Sequence, residues 1–209
     1  MDKSNGYENI AKRFIQIRGE EIDGVGRSSV QNWIKSIPKN SIILDLGCGT
    51  GIPITKVLVE NKMKVYGIDA SPTLISEFRK NLPDIPVKCE AVENSEFFNI
   101  KFDAIIAWGL IFLLTSDNQI KLLQKIGNSL NLGGKLLFTA PKQKTEWKDI
   151  LTNKKSQILP EKDKRYTKEA ATKLIGCFMR SDRVDNLSLK EASRKCDKFL
   201  YPNTPSLFK

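Results

Sequence analysis

Short apolar runs and stretches of helical periodicity alternate along the first two thirds of the chain. The apolar runs are short enough for buried strands, and the stretches between them repeat their apolar positions at helical spacing. The runs predict strands over residues 42–46, 65–68, 102–107 and 135–139, and a third strand that together with its loop covers 86–93. The periodic stretches predict helices over residues 7–19, 28–36, 52–61, 72–82 and 117–130. Strands that alternate with helices in this way are typical of an α/β fold with a mostly parallel sheet.

The chain after Pro141 gives a weaker pattern. Helical spacing predicts a helix over residues 168–177, whereas residues 181–198 show little alternation. Residues 198–201 predict one short strand, which ends before a proline. We therefore expect the last strands of the sheet to be short, irregular or replaced. With 209 residues, the whole chain, residues 1–209, is expected to form a single domain.

The first predicted strand leads into a glycine-rich turn. The strand carries Asp45 near its end, and three glycines follow at alternate positions: Gly47, Gly49 and Gly51. Glycine permits positive φ and leaves no Cβ between the turn and a ligand. The second predicted strand also ends in an acid, Asp69. Because the carboxyl ends of neighbouring parallel strands share one edge of the sheet, we expect the turn and both acids to form one site.

The segment Asp45-Leu46-Gly47-Cys48-Gly49-Thr50-Gly51 resembles motif I of the class I S-adenosylmethionine-dependent methyltransferases. Asp69 stands where that family places the acid that binds the ribose hydroxyls. Residues 102–107 resemble its fourth strand, and residues 132–138 resemble its turn into the fifth, with Leu132 where proline is usual. The resemblance implies a Rossmann-like, doubly wound, mostly parallel sheet with helices on both faces. The fingerprint of nicotinamide-binding Rossmann proteins, Gly-x-Gly-x-x-Gly, fits this turn less well.

The resemblance also implies S-adenosyl-L-methionine as cofactor, with S-adenosyl-L-homocysteine as product. The residues implied to bind it are Asp45, Gly47, Cys48, Gly49, Gly51, Asp69, Ala70, Glu93 and Trp108. Some of these roles have open alternatives. Asp69 could serve only as a local helix cap, and Trp108 as a core side chain. Near the adenine, Glu90 competes with Glu93, and either could be a solvated loop charge.

An N-terminal helix lies over the cofactor and closes the substrate pocket in methyltransferases of this kind. By the same resemblance, Tyr7, Phe14 and Arg18 on the first helix, and Gly109 after the fourth strand, line that pocket. The open alternative is an amphipathic helix that only packs on the sheet. The expected organisation is lid helices over residues 1–37, a cofactor-binding core over 38–141 and a divergent basic part over 142–209.

Composition excludes several kinds of chemistry. The chain has no histidine, so a histidine base or histidine metal ligand is excluded. No paired spacing for zinc or for a disulfide framework occurs among its four cysteines, Cys48, Cys89, Cys177 and Cys196. The N-terminus lacks the apolar core of a signal peptide, and the longest apolar run, residues 104–114, is too short to span a membrane. We expect a cytoplasmic protein without a metal or membrane partner, and the sequence marks no catalytic base.

The nature of the acceptor depends on charge and on missing motifs. The net charge is +10, and most of the excess follows Pro141. Without a compact cluster of basic residues, we favour a solubility role over nucleic-acid binding. The chain also lacks the Asn/Asp-Pro-Pro-Tyr/Phe and Pro-Cys signatures of base methyltransferases. We therefore expect in-line methyl transfer to a small molecule. The alternatives are an RNA or protein methyltransferase whose basic tail docks the partner, and a non-catalytic S-adenosylmethionine-binding protein.

Overall fold

The computed structural model of the protein describes residues 3–18, 26–139, 147–148, 152–156, 176–180 and 183–185. The α-helices in this part of the chain are α1 (Tyr7–Arg18), α2 (Arg27–Ile34), α3 (Ile54–Glu60), α4 (Pro72–Asn81) and α5 (Ser116–Ser129). The first strands are β1 (Ile42–Leu46), β2 (Lys64–Asp69), β3 (Val87–Cys89), β4 (Phe102–Ala107) and β5 (Leu130–Thr139). All ten were predicted, and most boundaries shift by at most four residues. Strand β5 is the exception: it begins at Leu130 rather than at residue 135, so the turn expected at residues 132–134 lies inside the strand. Two single-turn 3₁₀ helices, Phe97–Asn99 and Ile111–Leu113, flank β4.

The main sheet is a doubly wound, mostly parallel sheet. Its strand order begins β3-β2-β1-β4-β5, and all the pairs among these strands are parallel. The chain winds from β1 towards β3 in one direction and from β4 to β5 in the other. The direction of winding therefore reverses between β1 and β4, which is where α/β folds form a ligand crevice.

The C-terminal edge of the sheet differs from the prediction. Strand β8 (Gly176–Arg180) pairs in parallel with β5, and β9 (Arg183–Asp185) pairs antiparallel with β8. The sheet therefore has seven strands. The expectation of an irregular or replaced edge was wrong, although β9 is short. A strand here pairs the backbone groups that β5 would otherwise leave open at its outer edge.

Two local predictions for the same region also need correction. The helix expected over residues 168–177 is wrong at its end, because Gly176 and Cys177 begin β8. The apolar run Cys177-Phe178-Met179 is too short for periodicity to distinguish a strand from a helix. Residues 168–175 and the strand expected over 198–201 lie outside the described part of the chain. A separate antiparallel pair, β6 (Trp147–Lys148) with β7 (Lys155–Ser156), was not predicted.

Alternation of apolar side chains along the central strands builds a core on each face of the sheet. Leu44 on β1 and Ile105 on β4 belong to the cluster that contains α5 residues such as Ile126. Their neighbours along the same strands, such as Ile43, belong to a second cluster with residues of α2 and α3, among them Trp33. Consecutive strand residues point to opposite faces, so helices cover both faces of the sheet. The predicted fold class is confirmed.

Candidate functional site

The glycine turn leaves the sheet at its central strand. Strand β1 lies between β2 and β4, and Asp45 is level with Gly67 on β2 and Ile106 on β4. The turn is fixed to β2 by two backbone bonds, because the N–H groups of Gly47 and Cys48 both donate to the Ile68 carbonyl, at 2.8 and 3.1 Å. The turn and the carboxyl end of β2 therefore form one hydrogen-bonded unit at the crevice.

The glycines of the turn meet different surroundings. Gly47, Gly49 and Gly51 all have positive φ, at 72°, 54° and 80°. A Cβ on Gly51 would lie 2.7 Å from the Leu82 side chain, so this glycine allows α4 to pack against the turn. A Cβ on Gly49 would meet nothing within 4 Å. The backbone at Gly49 therefore faces open space, where a ligand could approach the main chain closely.

Strand β2 also needs a glycine next to the turn. A Cβ on Gly67 would lie 2.9 Å from the sulfur of Cys48 and 3.2 Å from the Val87 side chain. Cys48 is buried, and its side chain belongs to a small cluster with Ile75 and Phe78 of α4. The side chain of Cys48 therefore packs the turn onto the sheet, so its predicted contact with the cofactor would come from its backbone.

Asp69 links the turn to the next helix. Its carboxylate accepts the Gly49 N–H at 2.9 Å on one oxygen and the Ser71 N–H at 2.8 Å on the other. Burial raises the pKa of Asp69, while backbone N–H donors, including those of Ser71, Gly49 and Ala70, oppose that shift. Asp69 has part of the capping role that was the alternative to ribose binding, because it accepts the Ser71 N–H just before α4. The N-cap residue of α4 is nevertheless Ser71, whose hydroxyl accepts the Leu74 N–H at 3.2 Å. The carboxylate, which can accept about four donors, keeps acceptor capacity for a ligand.

Asp45 lies beneath the turn rather than beside the open space. It is buried, and the Thr55 hydroxyl of α3 donates to its carboxylate at 2.6 Å. The pKa of Asp45 is raised from 3.8 to about 7: burial is the main cause, the charge of Asp69 adds to it, and the Thr55 hydrogen bond opposes it. Thr55 was missed in the sequence, although its position ten residues after Asp45 places it in the first turn of α3. The structure places Asp45 as a support of the turn.

The raised pKa of Asp45 predicts how stability depends on pH. Between its unfolded value of 3.8 and its folded value of about 7, the folded protein binds more protons than the unfolded chain. The free energy of unfolding of the ligand-free protein should therefore fall as the pH rises through this window, by on the order of 2–4 kcal/mol. The raised pKa of Asp69 acts in the same direction.

Urea unfolding at a series of pH values measures this dependence. The upper part of the window, above about pH 5.5, is the informative one, because ordinary carboxyl groups are already ionised there and the chain has no histidine. Asp45→Asn should flatten the slope, since the amide keeps the shape of the side chain without ionising. An unchanged slope in Asp45→Asn would contradict the assignment of the titration to this carboxyl.

The two acids considered for the adenine lie in different places. Glu90 directly follows β3, its N–H donates to the Asp69 carbonyl at 2.9 Å, and its carboxylate accepts the Ser95 hydroxyl at 2.6 Å. Glu93 instead accepts the side-chain amide of Asn118, on α5, at 3.2 Å. The structure therefore brings Glu90 next to the Asp69 backbone and turns Glu93 towards α5.

A lysine of α5 holds the loop that carries these acids. The ammonium group of Lys125 donates to the carbonyls of Val92 and Glu93, both at 2.9 Å, and of Ser95 at 3.0 Å. Burial lowers the pKa of Lys125, while the nearby carboxylates, Glu96 first among them, raise it. Sequence analysis missed Lys125, because three carbonyl partners on a distant loop leave no local pattern.

Trp108 and Gly109 follow β4 at the same edge of the sheet. The Trp108 ring is half-buried and packs against the second core cluster, and a Cβ on Gly26 would lie 2.5 Å from it. The N–H of Gly109 donates to the Thr139 hydroxyl at 2.7 Å, and a Cβ on Gly109 would meet nothing within 4 Å. Part of the Trp108 side chain therefore packs in the core, as the alternative interpretation expected. Gly109 borders open space.

The N-terminal helix reaches the site through its first turn. Tyr7 and Phe14 are half-buried and contact each other edge to face, with ring centroids 5.6 Å apart. Arg18 is the last residue of α1, and its side chain lies outside the described part of the structure. Glu8, which the sequence did not single out, accepts hydrogen bonds from Ser71 and Thr73 at the start of α4. The start of α1 therefore lies beside the strand end that carries Asp69.

Within the described ranges, no helix is both long enough and apolar enough to cross a membrane. In the same part of the chain, no group of three or more cysteine, aspartate or glutamate side chains could hold a metal ion.

Comparison with known proteins finds similarity that centres on the glycine turn and the sheet around it. Residues 43–134 match the family described as "Methyltransferase domain". A tRNA U34 carboxymethyltransferase from Pseudoalteromonas atlantica is 31% identical over 59% of this chain and 40% of its own length. A malonyl-[acyl-carrier protein] O-methyltransferase from Ilyobacter polytropus is 31% identical over 69% and 55%.

Solved structures give the same architecture. A TehB-like SAM-dependent methyltransferase from Corynebacterium glutamicum superposes with a TM-score of 0.52 at 26% identity, covering 61% of this chain and 68% of that chain. The chain spans only part of the length of its curated relatives: 34% of a tRNA U34 carboxymethyltransferase from Sulfurovum sp., and the 40% and 55% given above.

Proposed function

On the premise that residues 43–134 form a methyltransferase domain of the class I S-adenosylmethionine-dependent family, we propose that the protein binds S-adenosylmethionine and transfers its methyl group to an acceptor. The observation that carries this proposal is the hydrogen bond from the Gly49 N–H to the Asp69 carboxylate. It joins the glycine turn and the acid of β2 into one unit at the point where the sheet reverses its winding. The open space at Gly49 offers a place where the ligand can lie against the main chain.

The residues present suit the parts of this cofactor. The Asp69 carboxylate keeps acceptor capacity beyond its backbone donors, which suits the ribose hydroxyls as donors of charge-assisted hydrogen bonds. Glu90 supports an adenine contact better than Glu93, because Glu93 faces α5. The negative charge of Asp69 favours a ligand that carries a sulfonium and an ammonium group. Gly47, Cys48, Gly51 and Ala70 would contribute backbone, and Trp108 one wall.

The bound cofactor supplies a methyl group on a sulfonium that is already activated for displacement. The chain has to hold the acceptor in line with that methyl and exclude water. Gly109 borders open space at the carboxyl end of β4, and the aromatic pair Tyr7 and Phe14 provides half-buried apolar surface on α1. We assign no base, since methyl transfer to many acceptors needs alignment more than deprotonation.

We propose a small molecule as the acceptor. The support is the position of α1, whose first turn is hydrogen-bonded to the start of α4 beside Asp69. A helix held at this position would cover part of the crevice, which favours an acceptor small enough to fit inside the crevice. The second candidate is a tRNA, which the names of several curated relatives favour, together with the net charge of +10.

Transfer of labelled methyl tests both candidates. The purified protein is incubated with methyl-labelled S-adenosylmethionine and, separately, with a small-metabolite fraction and with total tRNA, using Asp69→Ala as the control for background transfer. We expect label in a small molecule and stoichiometric S-adenosylhomocysteine. Label in tRNA would overturn the small-molecule assignment. Binding of S-adenosylmethionine without transfer to any acceptor would support the non-catalytic alternative.

A further inference from the structure

Ser71 occupies the centre of a hydrogen-bond chain that runs from the glycine turn to α1. Its side chain is fully buried. Its N–H donates to the Asp69 carboxylate at 2.8 Å, and its hydroxyl donates to the Glu8 carboxylate at 2.5 Å while accepting the Leu74 N–H at 3.2 Å. Because Asp69 also accepts the Gly49 N–H, an unbroken series of bonds joins the turn to a helix more than forty residues earlier in the chain.

Glu8 has the contacts of a fixed group rather than of a solvated surface charge. Besides the Ser71 hydroxyl, its carboxylate accepts the Thr73 hydroxyl at 2.6 Å and the Thr73 N–H at 3.2 Å. The backbone of Glu8 is fixed as well, because its N–H donates to the Ser4 hydroxyl at 2.8 Å. Hydrogen bonds to a carboxylate are stronger than those between neutral groups, and the N-terminus of α4 favours negative charge.

We infer that Glu8 is a positioning residue that holds α1 against the ribose side of the cofactor site and, through Ser71, couples the placement of Asp69 to that of α1. This inference rests on the proposed function. The coupling is reciprocal: a ligand that fixes Asp69 fixes Ser71 and strengthens the attachment of α1, and an attached α1 slows release of the ligand.

The Glu8 and Asp69 carboxylates lie close to each other and repel, so a ligand that binds Asp69 should change the stability of both. The carboxylates of Glu8 and Asp69 share the same helix N-terminus, and the charge of Glu8 contributes to the raised pKa of Asp69. Donors from α4 offset the repulsion between the two groups. Ribose hydroxyls at Asp69 would add donors to the same cluster, so a bound cofactor should stabilise both carboxylates together.

Glu8→Gln isolates the role of the carboxylate, because the amide keeps the size of the side chain but has one acceptor oxygen in place of two. Hydrogen exchange in the ligand-free variant should rise about tenfold across residues 7–18 and stay unchanged across β1 and β4. The affinity for S-adenosylhomocysteine should fall about tenfold, chiefly through faster release. The matched control is Glu77→Gln, which removes a surface acid of α4 that pairs with Lys80 at 2.8 Å. Glu77→Gln should change neither quantity.

The outcomes separate this inference from the proposed function. If the wild type fails to bind S-adenosylhomocysteine, the proposed function fails, while the exchange of residues 7–18 still tests whether Glu8 holds α1. If the wild type binds but Glu8→Gln matches Glu77→Gln in both measurements, the inference is overturned. A lower melting temperature with unchanged affinity and release would indicate a purely structural role and would also overturn it.

A second variant keeps the test open if Glu8→Gln does not fold. Thr73→Val removes one hydroxyl donor to Glu8 and preserves the shape of the side chain. It should also speed ligand release and the exchange of α1. In combination with Ser71→Ala, the effect of Thr73→Val on affinity should shrink, because Ser71 is the link between Glu8 and Asp69. Full additivity of the two changes would contradict the proposed chain of coupling.

Discussion

Asp69→Ala is expected to weaken S-adenosylhomocysteine binding by about a hundredfold or more. The change removes the acceptor proposed for the ribose hydroxyls, and it also removes the acceptor of the Gly49 and Ser71 N–H groups. A hydrogen bond to a charged group contributes about 1.5–3 kcal/mol, and a hundredfold loss corresponds to about 2.7 kcal/mol. Calorimetric titration measures the loss directly.

Asp69→Ala could lower the affinity in two ways: by removing a ligand contact, or by releasing the backbone N–H groups that Asp69 holds. A control variant must separate these two effects. Asp103 offers the matched control, since its carboxylate also accepts a backbone N–H, that of Ile42, at 2.8 Å and an Asn131 amide at 2.8 Å. Asp103 lies near the N-terminal end of β4, at the opposite end of the strands from the glycine turn. Asp103→Ala should lower the melting temperature and leave the affinity within about threefold of the wild type. Equal affinity losses in the two variants would show that Asp69 acts only through the fold.

Gly49→Ala is expected to abolish measurable cofactor binding while the protein stays folded. Its Cβ would project into the open space beside the turn, where no protein atom lies within 4 Å. The cost to the fold should therefore be limited to the left-handed backbone conformation at φ 54°, about 1–2 kcal/mol. The added methyl group would occupy the surface along which we propose that the ligand lies.

Gly133→Ala is the control for Gly49→Ala. Gly133 also has positive φ, 80°, and its Cβ would also meet nothing within 4 Å, but it lies in the N-terminal half of β5, where the pairing with β4 shifts register, away from the crevice. Both variants should show similar losses in the free energy of unfolding by urea titration. Only Gly49→Ala should lose binding. Retention of wild-type affinity by Gly49→Ala would show that the ligand does not approach the turn.

Much of the fold was accessible from the sequence because its signals are local. The apolar runs of β1 and β4 alternate between the two faces of the sheet, and glycines mark a turn that needs positive φ. Asp69 was singled out by its position at the end of a strand. Residues whose role follows from backbone geometry within a few positions are those that a single sequence reveals most readily.

The parts that the sequence did not reveal depend on contacts between distant segments. Glu8 looked like an ordinary acid in the first turn of a helix, and its partners Ser71 and Thr73 lie more than sixty residues away. Lys125 shows the same difficulty, because its three partners are carbonyls of a loop about thirty residues earlier. The strand β8 was missed because its apolar run is too short to show a period. Such features become visible only when the sheet brings the segments together.

The central claim, that this crevice binds S-adenosylmethionine, is tested most directly by calorimetric titration of the wild-type protein with S-adenosylhomocysteine, with NAD⁺ as the competing ligand of a related fold. We predict saturable binding of about one molecule of S-adenosylhomocysteine per chain, and no heat of binding with NAD⁺. A folded protein that binds neither S-adenosylhomocysteine nor S-adenosylmethionine, or that prefers NAD⁺, would contradict it.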